Sequence, residues 1–278
     1  MSLSLDAIRA ALRELAATHN GKSSAAEQLL VITDEARLEL EYSADRSFHA
    51  PCTPTAAVIP ATAKQVAEVV KFCCKHNICV TPSGARTGVE GGAIPYSKGV
   101  VIDTSRFQGI HVDPDNNCAW VGAGVKKLQL NKYLQKHHNL IFGPDPSSNP
   151  SVGGMVSTSG SGLSTLKYGT TRENVVSLRV VTAAGDIIQT RRVVRKSSTG
   201  LDLTNLYCGS EGTLGVIVEV CVRVNPFLPF TSGGYAGFTN CEDAVRAVID
   251  IRKMRLSTIV RCELMNTEGV LAANKEYG

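Results

Sequence analysis

The sequence predicts an α+β fold, and three features of the 278-residue chain lead to this prediction. Apolar residues recur at helical spacing in some segments, while other segments are short apolar runs of roughly four to eight residues, which is typical of strands. Stretches rich in glycine adjoin several of these short runs. Hydrophobic residues form 43% of the chain, so a sizeable core can be buried.

Composition narrows the classes of protein that the chain can belong to. The net charge of +4 is too small to indicate a nucleic-acid partner, and no apolar run reaches the ~18 residues of a transmembrane helix. The nine cysteines include no CxxC pair, and most lie within apolar runs. We therefore expect reduced, buried thiols, no metal site, no nucleic-acid partner and no transmembrane segment.

The first 50 residues are predicted to be helical. Leu5, Ile8, Leu12 and Leu15 fall on one face of an amphipathic helix at the start of this segment. A polar break follows in "NGKSS", and further helix is expected up to about residue 50.

A strand, a helix and a second strand are predicted next, as a βαβ unit. The first strand ends at Pro60, and Thr62 is a suitable N-cap for the helix. The second strand, Ile78 to Val80, leads directly into the glycine-rich segment 81–95, which we expect to be an irregular loop.

The middle of the chain alternates short strands with a helix and a long irregular stretch. "GVVIDTS" and "CAWVGAGV" are predicted strands, and a helix is expected from Lys126 to His138. Residues 143–170 are rich in Gly, Ser and Pro and are predicted to be an irregular functional loop. A hairpin turning at Ala184 to Asp186 follows, and "EGTLGVIVEVCVRV" predicts one more strand.

The pattern changes after Pro226. "GGYAGF", "CEDAVRAVIDIRKM" and "STIVRCELM" predict a strand, a helix and a strand of a second unit. The chain stops as another helix begins, so we expect this unit to be incomplete.

Three segments rich in glycine and serine, 81–95, 143–170 and 209–217, indicate a ligand site. Peptide N–H groups without bulky side chains can point at phosphate oxygens, and small residues let the chain approach a flat ring. Tight turns alone would explain one such segment, whereas three of them indicate a large ligand lying across all three. A dinucleotide fold of the GxGxxG type is not indicated, because Lys127 stands at the last glycine position of "VGAGVKKL".

These three segments resemble the FAD-binding motifs of FAD-linked oxidases of the p-cresol methylhydroxylase/vanillyl-alcohol oxidase type. "PSGARTGVEGG", from Pro82, is similar to the pyrophosphate loop of that family, and "KSSTGLDLTNLYCGSEGTLGVI", from Lys196, is similar to its third segment. The second segment is matched at 144–146, 153–155, 158–162 and 168–170. "QTRRVVRKSSTGLDL" is most similar to the cytochrome-type D-lactate dehydrogenases within the family.

The resemblance implies a particular α+β architecture and particular FAD contacts. It implies a helical segment at 1–50, a two-subdomain FAD-binding domain at 51–226 and the start of a ferredoxin-like cap domain at 227–278. The implied pyrophosphate contacts are Pro82, Gly84, Ala85, Arg86, Thr87 and Gly88. Asp145, Gly153, Gly154, Thr158 and Ser161 would lie along the ribityl chain and flavin ring, and Glu211, Gly215, Val216 and Ile217 on the adenine and ribose side.

The chain departs from the family pattern in two places. Ala85 and Arg86 stand where the loop usually has glycine, and Arg86 would add a positive charge beside the phosphates. Some relatives attach FAD to a histidine of this loop, but 82–92 contains none, so we expect non-covalent FAD. The family's catalytic and metal-binding residues come from a region after Gly278, so the chain is expected to be C-terminally truncated and its catalytic base is unknown.

The resemblance implies an FAD-dependent dehydrogenase of a 2-hydroxy acid such as D-lactate. A hydride would pass from the substrate α-carbon to flavin N5, and cytochrome c or a quinone-linked carrier would take the electrons. The alternative is a catalytically incomplete flavin-binding subunit with a structural or assembly role; a third possibility is an ether-lipid synthase type of reaction. An oligomer or a partner chain that supplies the missing cap is also expected, and the family suggests a mitochondrial location, with the cytoplasm as the alternative.

Overall fold

The computed structural model describes residues 3–21, 24–194 and 196–277, so Arg195 of "QTRRVVRKSSTGLDL" lies outside the described residues. The helices are α1 Leu5–Asn20, α2 Glu35–Tyr42, α3 Ala63–Lys75, α4 Lys127–His138, α5 Val152–Ser157, α6 Thr165–Tyr168, α7 Thr171–Asn174, α8 Leu203–Tyr207, α9 Cys241–Lys253 and α10 Thr267–Tyr277. The strands are β1 Leu30–Ile32, β2 Ala56–Ile59, β3 Val80–Ser83, β4 Val100–Asp103, β5 Ile110–Asp113, β6 Cys118–Gly122, β7 Leu140–Ile141, β8 Val175–Thr182, β9 Ile187–Gln189, β10 Gly215–Arg223 and β11 Asn225–Pro226.

The first sheet has the strand order β1-β2-β4-β3. β2 and β3 both run parallel to β4. α3 connects β2 to β3, which confirms the predicted βαβ unit. Thr62 caps α3 as predicted, because its side chain accepts a hydrogen bond from the backbone N–H of Gln65. β3 is an edge strand, so Pro82 can stand in it although it has no N–H to donate.

The second sheet is antiparallel, with the order β5-β6-β10-β8-β9. β10 lies at its centre between β6 and β8, and the predicted hairpin is formed by β8 and β9. Gly185 in the turn of that hairpin has a φ of 76°, a value that glycine adopts readily.

One core joins the two sheets. α1 and α3 bury Leu12, Val66 and Val69 against β2 and β4, and the same cluster includes Val181 and Val216 of the second sheet. The glycine-rich segments therefore start and end on a continuous packed framework, which can hold them in fixed positions.

Three predictions about secondary structure are wrong in detail. The N-terminal segment contains the strand β1 as well as helices, and β1 pairs with β2. β3 begins at Val80 and runs into the glycine-rich segment as far as Ser83. Residues 143–170 were expected to be irregular, but they include α5 and α6, since the N-cap Ser151 supports a short helix despite two glycines.

The segment after Pro226 agrees with its prediction only in part. α9 forms where "CEDAVRAVIDIRKM" indicated a helix, with Asn240 as its N-cap. The two flanking strands do not form. An extended segment becomes a strand only when its backbone pairs with a neighbour, and within the described residues the predicted strands 233–238 and 257–265 have no such pairing. The domain boundaries at 51 and 226 stay predictions.

None of the helices in the described part of the chain combines the length and the apolar character that crossing a membrane requires.

Candidate functional site

An open cleft with an enclosed volume of about 210 Å³ lies where the three glycine-rich segments meet. The loop after β3 forms one wall, the region around α5 forms the second, and the turn before β10 with the start of that strand forms the third.

Small residues let the three walls approach each other. A Cβ atom on Gly84 would lie 2.2 Å from Ser151 Oγ, so only glycine permits this contact between the first two walls. Gly212 packs on the ring of Pro82, with its Cβ position 3.1 Å from the ring carbons, and thereby joins the third wall to the first. The backbone N–H of Glu211 donates to Ser157 O at 2.9 Å, which joins the third wall to α5.

The loop 84–88 presents unpaired backbone donors. Within the described residues, nothing accepts a hydrogen bond from the backbone N–H groups of 84–88. Exposed peptide N–H groups of this kind are suited to phosphate oxygens. The carbonyl of Gly88 is occupied, because it accepts from the backbone N–H of Arg46 at 3.0 Å.

Arg86 does not extend into the cleft as an isolated charge. Its guanidinium carbon lies 4.8 Å from the centre of the Tyr42 ring, and its Nη1 lies 3.9 Å from Asp103 Oδ2. Nη1 also donates to Ser83 Oγ at 3.4 Å. The expectation of an added charge beside the phosphates therefore needs revision, since Asp103 balances part of that charge.

Most of the site residues expected from the sequence lie on the cleft wall. Those from the first segment are Pro82, Gly84, Ala85, Arg86, Thr87 and Gly88. Those from the other two are Gly153, Gly154, Thr158, Glu211, Gly215 and Ile217.

Asp145, Ser161 and Val216 are not part of the cleft wall. Asp145 instead accepts hydrogen bonds from the backbone N–H of Ser164 at 2.8 Å and from Ser164 Oγ at 2.6 Å, so it organises the long loop. Val216 is 2% exposed and belongs to the core, because neighbouring residues of a strand point to opposite faces and Ile217 faces the cleft. Ser161 is exposed.

Several lining residues were not expected from the sequence. Ser83 and Thr104 lie at the carboxyl ends of the parallel strands β3 and β4, where ligands of α/β sheets commonly bind, and this rule would have identified them. Asp45 lines the cleft from the N-terminal segment, and its Oδ2 atom is buried without a hydrogen-bond partner among the described residues. No sequence signal distinguished Asp45 from other surface carboxylates.

The cleft and its framework define a protein that holds an extended, phosphate-bearing cofactor, and the comparison with known families agrees. Residues 54–191 match the family described as FAD binding domain. Residues 54–191 therefore form an FAD-binding domain of the p-cresol methylhydroxylase type.

Among characterised proteins, the chain is similar to D-lactate dehydrogenases. It is 35% identical to the mitochondrial D-lactate dehydrogenase [cytochrome] of Arabidopsis thaliana over 84% of the chain and 41% of that protein. It is 36% identical to the D-lactate dehydrogenase of Archaeoglobus fulgidus over 80% of the chain and 49% of that protein. The chain thus spans about half the length of these relatives.

A solved structure of alkyldihydroxyacetonephosphate synthase shares the fold. It superposes with a TM-score of 0.72 at 23% identity, over 87% of the chain and 46% of that structure. At this identity the likeness concerns the architecture alone.

The residues present fit FAD, the cofactor of this family. FAD carries a pyrophosphate between two ring systems. The cleft offers the N–H groups of 84–88, which have no acceptor among the described residues, and two further walls lined by small residues. Gly84 contributes to this fit indirectly, because its lack of a side chain lets the first wall pack against Ser151 of the second wall.

Proposed function

We propose that this chain forms the FAD-binding part of a dehydrogenase that oxidises a 2-hydroxy acid of the D-lactate type. The cleft built from three converging glycine-rich segments carries the proposal, together with the similarity to D-lactate dehydrogenases over 80% or more of the chain. The glycolate oxidase subunit GlcD of Bacillus subtilis, 34% identical over 76% of the chain, supports 2-hydroxy acids as the substrate class.

The chain's own residues bind and orient the cofactor in this proposal. The backbone N–H groups of 84–88 donate to the pyrophosphate, and Pro82 with Gly212 keeps the loop against the third wall. Gly153 lets α5 approach Ala123 closely, because a Cβ atom there would lie 2.7 Å from the Cβ of Ala123. When bound, FAD supplies a two-electron acceptor for the hydride of the substrate α-carbon.

The names of some relatives support a proposal for the electron acceptor and the location. The names of the Arabidopsis thaliana and Saccharomyces cerevisiae proteins include both cytochrome and mitochondrial, so we propose a cytochrome c or quinone-linked acceptor and a mitochondrial location. FAD is proposed to bind without a covalent bond, since the loop 82–92 has no histidine.

Anaerobic reduction of the flavin tests the proposed reaction. The complete gene product that contains this chain is purified with FAD, oxygen is removed, and the absorbance of the flavin is followed after D-lactate is added, with L-lactate as the matched control. Bleaching by D-lactate alone is the expected result. Bound flavin that no 2-hydroxy acid bleaches would contradict the dehydrogenase proposal and favour a flavin-binding subunit with a structural or assembly role.

A further inference from the structure

Three side chains connect the N-terminal segment to the loop 84–88. Tyr42, at the end of α2, is 2% exposed and donates its hydroxyl to Asp103 Oδ2 at 2.9 Å. Arg86 lies against both partners, with its guanidinium over the Tyr42 ring and its Nη1 3.9 Å from the same Asp103 oxygen. We call Tyr42, Asp103 and Arg86 the loop brace.

The backbone of Arg86 explains why the loop needs a brace. Its φ of 52° lies in the left-handed region, which glycine adopts at little cost and a residue with a side chain does not. Arg86 therefore adopts, with a long side chain, a backbone conformation that suits glycine better. A strained conformation persists only when surrounding contacts hold it, and here those contacts are the ring and the carboxylate.

The partners of Arg86 are themselves fixed. Asp103 is 5% exposed, and its other oxygen, Oδ1, accepts from the backbone N–H of Ser105 at 2.7 Å. Burial raises the pKa of Tyr42, and the nearby Asp103 carboxylate raises it further, so the hydroxyl stays protonated and remains a donor. Tyr42 also packs in the small core formed with Leu38 and Val101.

We propose that Tyr42 and Asp103 are positioning residues that hold Arg86, and with it the loop 84–88, in the conformation that binds the pyrophosphate of FAD. This inference rests on the proposed function, because it takes the cleft as the FAD site. It assigns to α2, which precedes the matched FAD-binding region at 54–191, a role in cofactor affinity. In this proposal Arg86 stays beside Asp103 and has a structural role. It does not leave Asp103 to contact the phosphates.

Binding of FAD, ADP and riboflavin to four proteins tests the proposal. The proteins are the wild type, Tyr42→Leu, Arg86→Gly and the double variant, and dissociation constants are measured well below their unfolding temperatures. Tyr42→Leu is expected to weaken FAD and ADP binding about tenfold, the size expected for a lost cation–π contact and a lost charge-assisted hydrogen bond. Riboflavin, which lacks the pyrophosphate, should bind equally to wild type and Tyr42→Leu, whereas a general loss of structure would weaken all three ligands.

The double variant measures whether the residues act together. Tyr42→Leu should have no further effect on FAD binding once Arg86 is glycine, because the brace is already absent. Arg179→Ala is the matched control, since Arg179 also lies over an aromatic ring, 5.8 Å from the centre of Trp120, and is paired with Glu219 away from the cleft wall. Its FAD affinity should equal that of the wild type.

Two results would overturn the brace. The first is FAD binding by Tyr42→Leu that is unchanged, which would show that Tyr42 does not hold the loop, or tighter, which would show that Arg86 is released to the phosphates. The second is additive effects in the double variant, which would show that Tyr42 and Arg86 act separately. Tyr42→Phe, which keeps the ring and the core packing, provides the same comparison if the leucine variant does not fold, with a smaller expected loss of roughly threefold.

Failure of the proposed function gives a different result. Wild-type chain that binds neither FAD nor ADP would remove the cofactor site itself. The brace would then be judged by thermal unfolding of the same four proteins without ligand, where non-additive shifts support it and additive shifts contradict it.

Discussion

At the scale of single residues, the cleft is formed by glycines that let chain segments approach each other closely, more than by charged side chains. Gly84, Gly153 and Gly212 each stand where a Cβ atom would meet a neighbouring segment at 3.1 Å or less. Their function is to let backbone from separate parts of the chain meet, so that unpaired N–H groups face one common space.

Gly84→Ala is expected to disturb two walls at once. The new methyl group would lie 2.2 Å from Ser151 Oγ, which accepts from the N–H of Gly154 and caps α5. We expect a loss of about 2 kcal/mol in the free energy of unfolding, from overpacking and the disturbed cap, and weaker FAD binding. Thermal or denaturant unfolding and an FAD titration measure the two effects.

Gly88→Ala is the matched control for stability in the same loop. A Cβ atom at Gly88 would come no closer than 4.0 Å to Asp45 Oδ2, so stability should change little. Equal stability losses in both variants would show that close packing at Gly84 is not what keeps the walls together.

The side chains of the site show where sequence reasoning succeeds and where it stops. The family resemblance implied most of the lining residues, whereas the glycine-rich composition alone indicated only the three segments. The side chain of Val216 lies in the core, as the alternation of a strand indicates, and its cofactor contact stays a prediction. The contact of Arg86 with Tyr42 joins residues far apart in the chain, and no local pattern indicates it.

At the scale of helices and strands, the best predictions come from strong local signals. The N-cap Thr62, the apolar stripe of α3 and the turn at Gly185 were each sufficient to predict an element. The position of β4 between β2 and β3 was not predictable in this way, since strand order depends on tertiary pairing. The strand β1 has only three residues, too few for a clear period.

The cysteines within these elements should differ sharply in reactivity. Burial raises the pKa of Cys73 to about 12 and that of Cys208 to about 11, and it also raises the pKa of Cys118 and Cys221. A raised pKa keeps a thiol protonated at pH 8, and the thiolate is the reactive form, so these four should resist alkylation in the folded chain.

The exposed thiols supply the comparison. Cys74, Cys79 and Cys241 are exposed and should be alkylated by iodoacetamide at pH 8, as measured by mass spectrometry of the digested chain. Rapid labelling of Cys73 alongside its neighbour Cys74 would mean that α3 does not bury the face described above. Unfolding in urea should remove the difference between the two groups.

At the scale of the whole molecule, the two sheets and the core between them form the framework of a cofactor domain. The family resemblance implied this architecture; in the structure the first motif starts at the end of β3 and the third motif ends in β10. The region after Pro226 was less predictable, since its expected strands need pairing partners that a local pattern cannot supply.

The central claim is that the cleft binds FAD without a covalent bond, and recovery of the flavin tests it most directly. The purified chain is incubated with FAD, freed of excess cofactor by gel filtration, and then denatured in acid, after which the supernatant and the precipitated protein are each assayed for flavin. We predict that FAD co-elutes with the folded chain and appears entirely in the supernatant. A folded chain that elutes without flavin, or a precipitate that retains it, would contradict the account.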